Sequence, residues 1–255
     1  MHPILLQLGS FSIKTYGFFI AVGFLAGIAV AVKEAKRINY NPQLVLDTAF
    51  YMILGAIIGS RLFYVLTHLS HYRHNPLDAL KVWEGGLTFY GGFILAVAAC
   101  VWMAKKNSCG IWKTFDLFAP SLAIGVFFGR IGCFFAGCCY GRECALPWAV
   151  TFSDPQSLAK LNVPLHPTQL YCAASSVVTL LILLALKNRK TFDGQLALVW
   201  IFCYSCFRLI EEMFRGDVRG DLLFGRYPVS QVLALLLMIF SIILLPVLKK
   251  RNPCR

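Results

Sequence analysis

The sequence predicts an all-α integral membrane protein. It expects about seven transmembrane helices in a single transmembrane domain over residues 1–255, N-terminus outside and C-terminus cytoplasmic, with a small extramembrane cap from the 137–168 and 215–227 loops. Three observations predict it. Only 14% of residues are charged and 58% are hydrophobic, whereas soluble domains carry about 25% charged residues; mean hydropathy is +0.67. Apolar runs of roughly the 20 residues needed to cross a bilayer recur along the chain. Basic residues gather in alternate connections between those runs, the asymmetry that sets orientation in membranes.

The candidate spans are 16–32, 46–66, 87–104, 115–135, 169–186, 196–214 and 229–248. The first carries Gly23 and Gly27, and the second Gly55 and Gly59; small residues four apart predict close helix packing. The fourth and sixth differ from the rest in having polar residues pressed into their ends. Between spans, Lys33, Lys36 and Arg37, then Lys105, Lys106 and Lys113, then Lys187, Arg189 and Lys190, then Lys249, Lys250, Arg251 and Arg255 fall on one side, read as cytoplasmic. The opposite side has mixed charge: Arg73, Asp78, Lys81 and Glu84, then Arg142, Glu143, Asp154 and Lys160. An odd number of spans puts the two termini on opposite sides, which agrees with that charge pattern. The net charge of +12 is thus a membrane-topology signal, and no nucleic-acid partner is expected. No cleavable leader is expected, because the N-terminus lacks a basic segment and a small-residue cleavage site. In the 137–168 loop, residues 148–152 are expected to form a short strand.

Ionisable residues in or beside a span are costly and face the bundle interior or a polar cavity. Arg61, Arg130 and Arg208 qualify. Arg208, Glu212 and Arg215 have i, i+4, i+7 spacing, which on one helix shares a face; the carboxylate would orient both guanidinium groups. Arginine stays charged when buried and grips phosphate bidentately, so Arg130, Arg208 and Arg215 are candidates for holding a lipid phosphate.

Of the ten cysteines, Cys100, Cys109, Cys172, Cys203, Cys206 and Cys254 are scattered and read as small buried hydrophobes. Cys133, Cys138, Cys139 and Cys144 cluster, but their spacing fits the paired ligands of a structural zinc site poorly. A disulfide from Cys138 or Cys139 to Cys144, or free thiols, remain the open readings; no metal is expected. His68, His71 and His74 read as a solvated interfacial loop.

The stretch Gly129-Arg-Ile-Gly-Cys-Phe-Phe-Ala-Gly-Cys-Cys-Tyr-Gly141 resembles the signature of prolipoprotein diacylglyceryl transferases, Gly-Arg-x-Gly-Asn-Phe-x-Asn-Gly-Glu-x-aromatic-Gly. Other segments resemble the same family in order: Gly55-Ala-Ile-Ile-Gly-Ser-Arg61-Leu-Phe-Tyr64, Trp83-Glu-Gly-Gly-Leu-Thr-Phe-Tyr-Gly-Gly92, His166-Pro-Thr-Gln169-Leu-Tyr171, Tyr204-x3-Arg208-x3-Glu212-x2-Arg215, and Ser230-Gln231. Together they cover the chain from about Tyr16 to Gln231. The resemblance implies an enzyme of the bacterial cytoplasmic membrane that moves the diacylglyceryl group of phosphatidylglycerol to the lipobox cysteine of a prolipoprotein signal peptide. A thioether forms and glycerol 1-phosphate leaves, without metal or organic cofactor. It implies catalytic roles for Arg130, Arg208, Tyr90 and Tyr16. Substrate contacts are implied for Arg130, Arg208, Glu212, Arg215, Tyr204, Arg61, Gly141, His166 and Gln169. The sequence departs from the pattern at Tyr90, where the family has histidine, at Cys133 and Ala136 in place of asparagines, and at Cys138 in place of glutamate. Two other function classes stand beside this one: a membrane thiol–disulfide oxidoreductase using Cys138, Cys139 and Cys144, and a lipid or anion transporter using the arginines.

Overall fold

A computed structural model describes residues 2–8, 11–73, 76–81, 83, 85–217, 222–223 and 227–251. The expectations attached to His74, Glu84, Cys254 and Arg255, and to 218–221 and 224–226 of the second loop, lie outside these residues. The protein is mainly helical. A hairpin β1 (Ile4–Leu8) and β2 (Phe11–Lys14) leads into α1 (Thr15–Arg37) and α2 (Pro42–Thr67). The short α3 (Leu69–Tyr72), α4 (Phe89–Lys106) and α5 (Ile111–Ala136) follow. Strands β3 (Val150–Thr151) and β4 (Pro164–Leu165), then α6 (Thr168–Leu186) and α7 (Gln195–Glu212), precede β5 (Leu222–Leu223), β6 (Tyr227–Pro228) and α8 (Val229–Arg251). Each expected span corresponds to a long helix. Six of the seven are long and apolar enough to cross a membrane. The seventh, α7, carries Arg208, Glu211 and Glu212 in its last turns, which is the charge the site requires.

The chain divides into two compact units, Val32–Thr114 and Met1–Ala31 with Phe115–Arg255. In the first of these, Asn41 caps α2 by accepting from the Gln43 backbone N–H at 2.9 Å, and Pro42 starts the helix, where its missing N–H costs nothing. Helices α2 and α4 meet at glycines. A Cβ on Gly55 would lie 2.9 Å from the Leu95 carbonyl, and one on Gly59 would collide with the Gly91 carbonyl. Arg61 is buried and turns its guanidinium to backbone carbonyls. Nε donates to Ala79 O at 2.8 Å and Nη1 to Gly85 O at 2.7 Å, with Asp78 O also bound, and the rings of Tyr64 and Tyr72 flank it.

In the other unit, Gly23 and Gly27 of α1 lie against Phe128 and Ser121 of α5. Asp116 of α5 caps α7: its carboxylate accepts from Gly194 N at 2.7 Å and Ala197 N at 2.9 Å, and Lys190 lies 3.0 Å away. Above them Ala119, Leu183 and Leu196 form a small core with Leu186, Val199 and Trp200. The expected strand in 148–152 is realised as β3, which pairs with β4. Phe152, Ala159 and Leu165 form the cap's own core, with Phe134 and Tyr140 packed against it. The 137–168 loop is tied to the second loop through the Gly141–Arg215 bridge. The hairpin β1–β2 had no counterpart among the expectations. Its link to α1 is made by Thr15, which donates from its hydroxyl to His2 O at 2.6 Å and from its amide to Pro3 O at 2.9 Å.

Candidate active site

The site assembles within the larger unit, where α5 ends. Arg130 projects from the last two turns of α5. Among the described residues it has no hydrogen-bond acceptor or carboxylate partner, and its neighbours are Tyr204, Cys172, Cys139 and Cys133. A guanidinium in such surroundings is costly without an anion to meet it. Arg208, buried on α7, is half-compensated. Nη2 lies 3.1 Å from Glu212 Oε2, whereas Nη1 is 3.9 Å from Glu211 Oε2 and has no hydrogen-bond partner. Glu211 is held by the Ser175 hydroxyl at 2.8 Å. Arg208 is near enough to both Arg130 and Arg215 to feel their charges. Three like charges held together favour an anion among them.

Arg215 differs from its expected placing. Helix α7 stops at Glu212, so Arg215 is not on the helical face of Arg208 and Glu212. It sits in the backbone bridge to Gly141 and is gripped bidentately by Asp217, at 3.0 and 2.7 Å. The Asp217 hydrogen bond and charge overcome the effect of burial and raise the Arg215 pKa. The spacing pattern could not show this because it presumed the helix would continue.

Gly141 is the point where three backbone segments meet. Its N–H donates to His166 O at 2.9 Å, and Arg142 N to Phe214 O at 2.8 Å. A Cβ there would lie 2.7 Å from His166 O and 2.8 Å from Phe214 O, so only glycine fits. His166 has its Nδ1 3.1 Å from the Tyr171 hydroxyl and its ring against Phe214. Gln169 is fully buried and donates to Cys138 O at 2.7 Å, while Thr168 donates to Cys139 O at 2.7 Å. Both therefore fix the signature turn. Gln169 Oε1 is left without a partner.

That turn brings cysteines together. Cys133 is in the last turn of α5; Gly137 (φ +76°) and Cys139 (φ +62°) adopt left-handed backbone and fold the chain back. The sulfurs of Cys133, Cys138 and Cys139 lie within 4.8 Å of one another. Hydrogen bonds from Cys133 and Cys138, helped by Arg215 and Arg130, lower the Cys139 pKa, whereas hydrogen bonds with Cys133 and Cys139, together with burial, raise that of Cys138. Every described cysteine is free, Cys144 included. Tyr16, at the start of α1, borders Arg130 and these three cysteines, its ring and carbonyl against Gly132. Tyr204 stacks on Trp200, centroids 5.3 Å apart.

The structure thus groups Tyr16, Arg130, Gly141, His166, Gln169, Tyr204, Arg208, Glu212 and Arg215 in one unit. Arg61 and Tyr90 belong to the other unit, where Tyr90 is 38% exposed at the start of α4. Sequence reasoning missed Glu211, Thr168, Ser175 and Asp217. The first carried a usable signal, a second acid in the last turn of an apolar helix.

The profile of the family described as prolipoprotein diacylglyceryl transferase matches residues 3–247. A phosphatidylglycerol–prolipoprotein diacylglyceryl transferase from Solidesulfovibrio magneticus is 37% identical over 250 residues, 95% of this chain and 93% of its own. Proteins of the same name from Clostridium tetani (34% over 242 residues; 95% and 96%) and Geobacter sulfurreducens (32% over 257 residues; 99% and 97%) are also similar. Neither the oxidoreductase nor the transporter alternative finds support among them. With the resemblance carried by near full-length matches and not by short motifs alone, the chain belongs to the prolipoprotein diacylglyceryl transferase family.

Proposed function

We propose that this protein transfers the diacylglyceryl group of phosphatidylglycerol to the lipobox cysteine of prolipoproteins in the bacterial cytoplasmic membrane. The observation that carries the reading is the guanidinium of Arg130, without a hydrogen-bond or carboxylate partner among the described residues, beside the half-compensated Arg208. Two such donors suit one phosphodiester. The names of the similar proteins supply the two substrates.

The lipobox thiolate attacks the glycerol carbon that bears the phosphate ester. A C–S bond forms, the C–O bond breaks, and its electron pair leaves on glycerol 1-phosphate. Negative charge grows on the departing phosphate, where Arg130 and Arg208 stabilise it more strongly than water would. Arg215 supports the site from the cap, its own orientation fixed by Asp217. Tyr16 and Tyr204 offer hydroxyl and ring surface beside the head group, and Glu211 and Glu212 hold Arg208 in position. Binding the lipid and the signal peptide within one bilayer supplies proximity.

The test is incubation of purified protein with phosphatidylglycerol and a lipobox peptide, followed by mass spectrometry. The expected result is a diacylglyceryl mass on the cysteine, lost by about 10²–10³-fold in Arg130→Ala or Arg208→Ala, the usual effect of removing one charge-stabilising donor. Undiminished transfer in both variants would exclude the arginine mechanism.

A further inference from the structure

We infer that Cys133, Cys138 and Cys139 form a three-thiolate site for a divalent zinc-like ion, whose open fourth position takes the substrate's cysteine thiol. This rests on the transferase reading. The three sulfurs already lie within 4.8 Å of one another. A tetrahedral zinc ion with Zn–S bonds near 2.3 Å needs them about 3.8 Å apart, a shift within side-chain reach. Among the described residues no fourth cysteine, histidine or carboxylate joins the group. Three protein ligands and one open position is the arrangement of a zinc site that handles a substrate, whereas structural sites are closed by four.

The turn holds two ligands in place before metal arrives. Gln169 and Thr168 bind the carbonyls of Cys138 and Cys139, and Cys139 is kept in left-handed backbone, a conformation that non-glycine residues adopt only where the surroundings hold it. Charge is also suited. A dication with three thiolates carries one net negative charge, and two with a bound substrate thiolate. Arg215 faces Cys139, and Arg130 borders Cys133 and Cys139.

The site supplies what the reaction needs at its sulfur. A free thiol has a pKa near 8.5 and is mostly protonated at neutral pH, whereas a metal-bound thiol is deprotonated outright. On binding, the lipobox S–H gives its proton to water and an S–metal bond forms. That sulfur then attacks the glycerol carbon, the C–O bond to phosphate breaks, and glycerol 1-phosphate departs with the electron pair. The product thioether is a neutral, weaker ligand and leaves the metal. No oxidant or reductant is consumed. The position where the family carries histidine is Tyr90 in this chain, so thiol activation by metal coordination would remove the need for a base there.

The experiment is titration of the purified, metal-free, reduced full chain with cobalt(II), followed by its absorption spectrum. One ion per chain is expected, with sulfur-to-cobalt charge-transfer absorption in the near ultraviolet and tetrahedral bands in the visible. Zinc should displace it. A lipobox peptide should change the spectrum, and the same peptide with serine for cysteine should not. Cys138→Ser and Cys139→Ser should each weaken or abolish the charge-transfer band. Absence of the band in the wild-type chain, its survival in both variants, or indifference to the peptide thiol would overturn the site. So would full transferase activity of the metal-free protein, which would leave the transferase reading intact. Failure of that reading looks different: cobalt binds and answers the peptide, yet no thioether product forms.

Discussion

Single residues of the signature do two kinds of work, and only one kind shows in residue type. Arg130 and Arg208 could be named from the sequence because charge inside an apolar segment is rare and has few structural uses. Gly141 is a different case. Its backbone is crowded by the His166 and Phe214 carbonyls, atoms 25 and more residues away, so the demand for glycine becomes explicable only when three segments have met. Replacing it tests that account. Gly141→Ala must push apart the 139–143, 164–166 and 214–216 backbones, an overpacking cost of about 1–3 kcal/mol. The expected result is a lowered melting temperature together with loss of transfer, since Arg215 hangs on the same bridge. An unchanged melting curve and unchanged turnover would show that the segments slide to accommodate a methyl group. The convergence of Cys133, Cys138 and Cys139 was illegible for a related reason. Spacing rules for metal ligands presume a hairpin or a helix, whereas Cys133 closes a helix and Cys139 occupies a left-handed turn, a path that sequence spacing does not encode.

Among the elements, α7 is the one whose polarity disagrees with its place among the spans. It is held at its start by a buried carboxylate of α5. Asp116 satisfies the Gly194 and Ala197 N–H groups and meets Lys190. Such capping of a helix N-terminus by a negative side chain works through hydrogen bonds and the helix dipole together. Asp116→Ala strips two buried donors of their acceptor, each costing about 1–3 kcal/mol. It should lower the melting temperature and reduce transfer indirectly, through misplacement of Arg208 at the far end of α7. A variant as stable as the wild type would remove Asp116 from the framework. Lys190 gives the same contact a pH dependence. Burial works against its charge, but the Asp193 hydrogen bond and the Asp116 charge outweigh it, so its pKa is raised above that of an unfolded lysine. The charged form is thus favoured by folding. That contribution is complete below the ordinary lysine value, about 10.4, and disappears as pH climbs through the raised value. Thermal melts taken across the alkaline range should show a decline that Lys190→Met lacks. The ends of α7 were the least legible part of the helix: hydrophobic runs marked its body, but Asp116 is 78 residues from Gly194, and the stop at Glu212 follows from the cap taking over Arg215.

At the scale of the whole molecule, composition and periodic apolar runs were enough to place every long helix, because lipid demands that each spanning segment satisfy its own backbone. What they could not place was the polar architecture outside the spans: the β1–β2 hairpin, and the cap whose core is Phe152, Ala159 and Leu165. Such short strands have no periodicity to read. Orientation stands on charge distribution. Lys105 and Lys106 close α4, Lys187 and Arg189 follow α6, and Lys249, Lys250 and Arg251 end α8, all at connections that seven spans would put on one face. By the positive-inside rule we expect that face to be cytoplasmic, which would turn the arginine site, at the opposite ends of α5 and α7, to the outer leaflet. A fusion at the C-terminus decides the matter. Green fluorescent protein fused there should fluoresce, since it folds in the cytoplasm, and alkaline phosphatase fused at the same point should be inactive, since it needs the oxidising side to form its disulfides. The reverse pair of results would turn the site toward the cytoplasm, where it could not meet a signal peptide already carried across the membrane. It would also leave thirteen basic residues of the four cytoplasmic groups on the face that the charge rule forbids.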